Sequence, residues 1–129
     1  MSFKFLNVNP MGKREEDCVT RAISAAMDID YYEVKHKLNL IADLFDCESL
    51  CVCCYKHLLD DVFNLDRIES YHGITIGEFL RRNPYGKFII RTDGHLTFAK
   101  NGCINDTWDC SDRIVDIVWQ VKELSLIHI

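Results

Sequence analysis

Apolar residues recur at three-and-four spacing through the first two thirds of the chain, and this spacing predicts helices. From Asp17 to Met27 the apolar positions Val19, Ala22, Ile23, Ala26 and Met27 form one face that must be buried. Asp17 is a suitable N-cap, which would place Cys18 in the first helical turn. Asp30 can cap a second helix carrying Tyr31, Val34, Leu38, Ile41 and Phe45 on one stripe. A third begins near Ser49, with Cys51, Tyr55, Leu58, Leu59 and Val62 on one side. A fourth opens on Thr75-Ile-Gly-Glu78, a capping box, and Asn83-Pro84 stops it. The first sixteen residues, with Pro10, Gly12 and the charged run Lys13 to Glu16, read as an irregular lead-in.

Beyond Pro84 the pattern changes to short β-branched and aromatic runs. Lys87 to Thr92 and His95 to Lys100 read as strands joined at Asp93-Gly94. Asn101-Gly102 then turns the chain into Cys103 to Trp108, and Arg113 to Val121 supplies a fourth strand. Helices followed by an antiparallel sheet predict an α+β fold.

Composition adds boundaries to this picture. A chain of 129 residues is one domain, expected here over residues 1–123, and two prolines and six glycines argue against linkers. The last six residues, Leu124 to Ile129, read as a translated sequencing adapter, so a non-native tail is expected there. A net charge of −5 without a basic run argues against a nucleic-acid partner, and no apolar run reaches membrane-span length. Seven cysteines, an odd number, with a start that turns polar at Asn7, fit a reducing interior and free thiols. The expected location is therefore cytoplasmic.

The candidate chemistry lies in three segments. At a helix start, unpaired N–H groups and the helix dipole favour a thiolate, which primes Cys18 as a nucleophile. A thiolate needs an imidazole partner, and that partner needs an orienting group. If Asn101-Gly102 is a two-residue loop, residue 100 pairs with 103, and the register puts His95, Thr97, Asp106 and Trp108 on one face. Asp106 then lies diagonally across from His95 at roughly 7–8 Å between backbones, a gap their side chains can close. A three-residue loop would instead swing Asn105 onto that face. The cluster Cys47, Cys51, Cys53 and Cys54, with His57 or His36 nearby, lacks the second pair of a structural zinc site, because Cys103 and Cys110 are isolated. Neither a metal nor a cofactor is expected.

Asp17-Cys18 opening a helix, Gly94-His95-Leu96-Thr97, and Asp106-Thr107-Trp108-Asp109 together resemble the papain-like cysteine peptidase superfamily, in the order cysteine, histidine, acid or amide. The chain is also similar, over roughly residues 7–119, to small proteins of phages and gut bacteria. These share a lead-in of the type Asn9-Pro10-Met11-Gly12-Lys13 and the late Asp-Thr-Trp-Asp. In papain-like enzymes an Asn-Ser-Trp triplet supplies an orienting amide and a shielding indole. Asp106-Thr107-Trp108 matches it with a carboxylate in place of the amide. The lead-in has no counterpart of papain's oxyanion glutamine, which leaves Asn9 or Asn7, beside the Cys18 N–H, as candidate donor.

The resemblance implies a papain-like fold with the nucleophile at the start of the first helix. It also implies a triad of Cys18, His95 and Asp106, supported by Asn9, Asp17 and Trp108. The expected activity is thiol-dependent hydrolysis of a peptide, isopeptide or other amide, in a bacterial or phage-infected cell. The alternative is a catalytically silent protein on the same scaffold that binds and inhibits a host protein.

Overall fold

The structure, a computed structural model, describes residues 1–12, 17–68 and 73–122. The expected tail at 124–129 and the charged run Lys13 to Glu16 lie outside the described residues. Four helices and a six-stranded mixed sheet make an α+β fold. The helices are α1 (Cys18–Met27), α2 (Tyr31–Phe45), α3 (Val52–His57) and α4 (Ile76–Arg82). The strands are β1 (Ser2–Phe5), β2 (Asp66–Ile68), β3 (Lys87–Thr92), β4 (His95–Lys100), β5 (Cys103–Asp106) and β6 (Ile117–Val121), in spatial order β1-β5-β4-β3-β6-β2.

The sheet is covered on both faces, which explains why β3 reads Phe-Ile-Ile rather than alternating with polar residues. Ile89, Leu96, Phe98 and Trp119 pack with α1 and α2, whereas Phe88, Ile90, Ala99 and Val118 pack with α4. Asp30 caps α2 by accepting from the Tyr32 and Glu33 N–H groups, and Thr75 caps α4 by accepting from Glu78 N–H at 3.1 Å. The Asn101-Gly102 turn has positive φ at both residues (51° and 75°), the geometry of a two-residue hairpin loop. It sets Lys100 against Cys103, Ala99 against Ile104 and Phe98 against Asn105. Among the described residues no helix is long and apolar enough to cross a membrane.

Several expectations are corrected. The lead-in is not wholly irregular, because Ser2–Phe5 forms an edge strand parallel to β5, and the sheet is mixed rather than antiparallel. The strand expected over Arg113 to Val121 is confined to Ile117–Val121, with Ile114 making an isolated bridge to Thr75. The strand expected to reach Trp108 ends at Asp106. Val62 is exposed because α3 continues as a π-helical turn, Leu58–Val62, whose wider winding carries it off the buried face. Phe45, the last residue of α2, is 57% exposed and packs its ring on His57.

Candidate active site

Cys18 is the first residue of α1, and its first turn has no side-chain cap. Asp17 has an N-cap's place in the chain but is buried, and its carboxylate turns inward. It accepts from Arg21 Nε at 2.6 Å, Tyr31 Oη at 2.6 Å and Asn9 Nδ2 at 3.0 Å. Asp17 therefore leaves the backbone N–H groups at the start of α1 without its carboxylate, and among the described residues no side chain caps them.

His95 opens β4 and Asp106 closes β5, so the hairpin turn determines their meeting. His95 Nε2 donates to Asp106 Oδ2 at 2.7 Å, which leaves Nδ1 as the nitrogen available to the thiol. Asp106 accepts three more hydrogen bonds, from Thr97 Oγ1 at 2.6 Å, Thr107 N–H at 2.7 Å and Arg21 Nη1 at 3.2 Å. Arg21 therefore bridges two buried carboxylates. Asp17, Arg21, Asp106, His95 and Cys18 form a chain of alternating charge when the thiol is ionised.

Electrostatics follow from this chain. Burial disfavours the Cys18 thiolate, but hydrogen bonds from the His95 ring and the Leu96 N–H, with the charges of His95 and Arg21, outweigh it and hold the thiol below its ordinary value. Burial likewise disfavours the imidazolium, yet hydrogen bonding to Asp106, Cys110 and Cys18 pushes His95 up to about 11. Burial would raise Asp106, and the bonds from His95 and Thr97 reverse that and hold it down. These shifts favour a thiolate–imidazolium pair.

The pair lies in a groove of about 680 Å³. Leu50, Val52 and Tyr55 form one wall, and Trp108 and Thr107 another. The Trp108 ring sits 4.8 Å from the His95 ring, tilted by 47°, and the Arg113 guanidinium lies 5.5 Å from the indole centre. An indole there restricts water around the imidazole.

The structure thus brings together Cys18, His95, Asp106 and Trp108, with Asp17 one step removed through Arg21. Asn9 does not join them as a donor to the groove, because its amide donates to Asp17 and its carbonyl oxygen accepts from Met11 N–H. Asn7 holds the Asn9 N–H through its own side-chain oxygen. Sequence reasoning missed Arg21, although its place four residues after Asp17 on one helix face is an ion-pair signal. Tyr31 and Cys110 gave no such signal, since only the fold brings them near.

His95, Asp106 and Cys110 place a nitrogen, an oxygen and a sulfur donor within 4.8 Å of one another. Asp106 already accepts from four donors and has the Arg21 cation beside it, so this trio suits a held proton better than a metal ion. Cys51 Sγ and Cys53 Sγ stand 3.1 Å apart, Cys54 donates to the Leu38 carbonyl, and His57 pairs with Asp61. In comparisons with known proteins, no family model, no curated protein and no solved structure matches this chain.

Proposed function

We propose that this chain is a papain-like thiol hydrolase acting on peptide, isopeptide or related amide bonds. Cys18 is the nucleophile, His95 the acid and base, and Asp106 the group that orients His95. One observation carries the reading. The ring bonded to Asp106 at 2.7 Å lines the same groove as Cys18 and acts with its surroundings to hold that thiol below its ordinary value.

The chemistry follows from the geometry. The Cys18 thiolate adds to the carbonyl carbon, and the C=O electron pair moves to oxygen. Backbone N–H groups at the uncapped start of α1 are the donors for that oxyanion, in the part first considered for Asn9. The C–N bond then breaks as the imidazolium gives its proton to the departing amine, leaving a thioester on Cys18. Neutral His95 next takes a proton from water, whose oxygen attacks the thioester, and collapse releases the acid and regenerates the thiolate. Asp106, held by four donors, keeps the ring in one orientation throughout.

A mixture of internally quenched peptides tests this. The wild type should cleave members of the mixture, and Cys18→Ala and His95→Ala should each lose at least about 1,000-fold in kcat/KM. Cleavage that survives Cys18→Ala would overturn the proposal.

A further inference from the structure

The groove carries a charge pattern that the triad does not explain. The chain as a whole is acidic, at −5, yet among the described residues the ionisable side chains lining this groove are Cys18, His95, Tyr55, Arg21 and Arg91, without a carboxylate. Arg21 is enclosed by Asp17 and Asp106 and has little left to offer a ligand. Arg91 differs. It lies on β3 directly opposite Leu96, which lines the groove with Cys18, so its backbone is one strand spacing, about 5 Å, from that of Leu96.

Arg91 is also pre-aimed. Its Nε donates to Tyr55 Oη at 2.7 Å, and its Nη1 pairs with Asp116, whose side chain is 46% exposed. Tyr55, itself on the groove wall, lies close enough to Cys18 to feel its charge. Among the hydrogen bonds of the described residues, Arg91 Nη2 makes none. A guanidinium fixed on two sides and lining a groove suits a carboxylate, because the fork of donors matches two carboxylate oxygens and little side-chain entropy remains to be lost. Leu50 and Val52 supply apolar contact alongside it.

We propose that Arg91 forms an anionic subsite, and that the preferred substrates are peptides carrying a glutamate or aspartate within two residues of the bond attacked. The reach follows from the sheet: Arg91 stands one strand spacing from Leu96 on the groove that Cys18 also lines, and an extended peptide advances about 3.3 Å per residue, so neighbouring positions of a bound peptide are the ones Arg91 meets. Asp116 competes for the same cation. Its exposure lets a substrate carboxylate share or displace it, and it thereby sets how strongly acid is selected.

The cleavage readout rests on the hydrolase reading, so the experiment has two arms. In the first, internally quenched peptides that differ only in Glu, Gln or Lys at each position within two residues of the cleaved bond are compared by kcat/KM. The wild type should prefer Glu over Gln by at least about tenfold at one position, the scale of one charge-assisted hydrogen bond. Arg91→Met should bring that ratio close to one, and Asp116→Asn should raise it above the wild-type value. In the second arm, fluorescence anisotropy compares binding of the Glu and Gln peptides to Cys18→Ala protein, which needs no turnover. Cleavage with no Glu preference, a preference that survives Arg91→Met, or equal binding of the two peptides would overturn the anionic subsite while leaving the triad intact. Absence of any cleavage would count against the hydrolase reading, and the binding arm would then decide the subsite alone.

Discussion

Replacing Arg21 with Met removes the cation between two buried carboxylates and tests whether the alternating chain of charges holds the site together. The Arg21 side chain is 10% exposed, and its partners Asp17 and Asp106 are 8% and 4% exposed, at 2.6 Å and 3.2 Å. Water can do little to solvate the carboxylates once the guanidinium is gone. Asp17 would keep Tyr31 and Asn9, and Asp106 would keep His95, Thr97 and the Thr107 N–H, so neither is stripped of donors. The loss is therefore that of one partner from a buried ion pair, about 3–5 kcal/mol. With a urea dependence near ~2 kcal/mol per molar, the unfolding midpoint should fall by about 1.5–2.5 M. Adding Asp17→Asn to Arg21→Met removes the carboxylate that has lost its cation, Asp106 still having His95, and should recover part of the loss, a coupling that a double-mutant cycle measures directly. An Arg21→Met midpoint within about 0.5 M of wild type would make this pair no stronger than a surface ion pair and refute the reasoning.

Two further outcomes follow. Gly102→Ala puts a side chain at φ +75°, with no contact tighter than 3.5 Å, so left-handed strain alone should cost about 1–2 kcal/mol in denaturant unfolding. An unchanged midpoint would mean that the turn does not hold the hairpin. Acid and alkali should both weaken the fold, for opposite reasons. Asp17, Asp60 and Asp106 are all held below their ordinary value of 3.8, so their contribution is present above about pH 4 and is lost as pH falls through the lowered folded values. His95 is raised from 6.5 to about 11, so its contribution is complete below pH 6.5 and is lost as pH rises towards 11. Melting temperatures across this range should show the alkaline decline flattened in Asp106→Asn, and an identical decline in both proteins would contradict the assignment.

The parts of this molecule that local chemistry dictates were legible in the sequence. Asn101-Gly102 demands a turn with two positive φ values, and that one demand fixes the register in which Thr97 and Asp106 share hydrogen bonds with His95 as a neighbour. Asp30 and Thr75 cap helices because, among the hydrogen bonds of the described residues, their side-chain oxygens accept only from the helix N–H groups. Asp17 shows the limit. Its local preference was to cap, but Arg21, Tyr31 and Asn9 offer it stronger partners, and two of those reach it only through the fold. Strand β1 was illegible for a related reason, since its partner β5 lies about a hundred residues further along and the exposed Phe3 and Phe5 give it little buried face. The π-helical turn that exposes Val62 breaks the very period used to predict it. In the site, the order and spacing of cysteine, histidine and acid could be read, whereas Arg21, which ties α1 to the hairpin, required three dimensions.

The central claim is that Cys18 and His95 share a proton in a way no other thiol of this chain does. It is tested most directly by the pH dependence of iodoacetamide alkylation, followed at each of the seven cysteines by peptide mass spectrometry. Cys18 should react fastest by at least about tenfold at pH 6–7, where ordinary thiols are mostly protonated, and His95→Ala should move its profile up towards that of a free thiol. Equal labelling of all seven cysteines, or a Cys18 profile unmoved by His95→Ala, would contradict it.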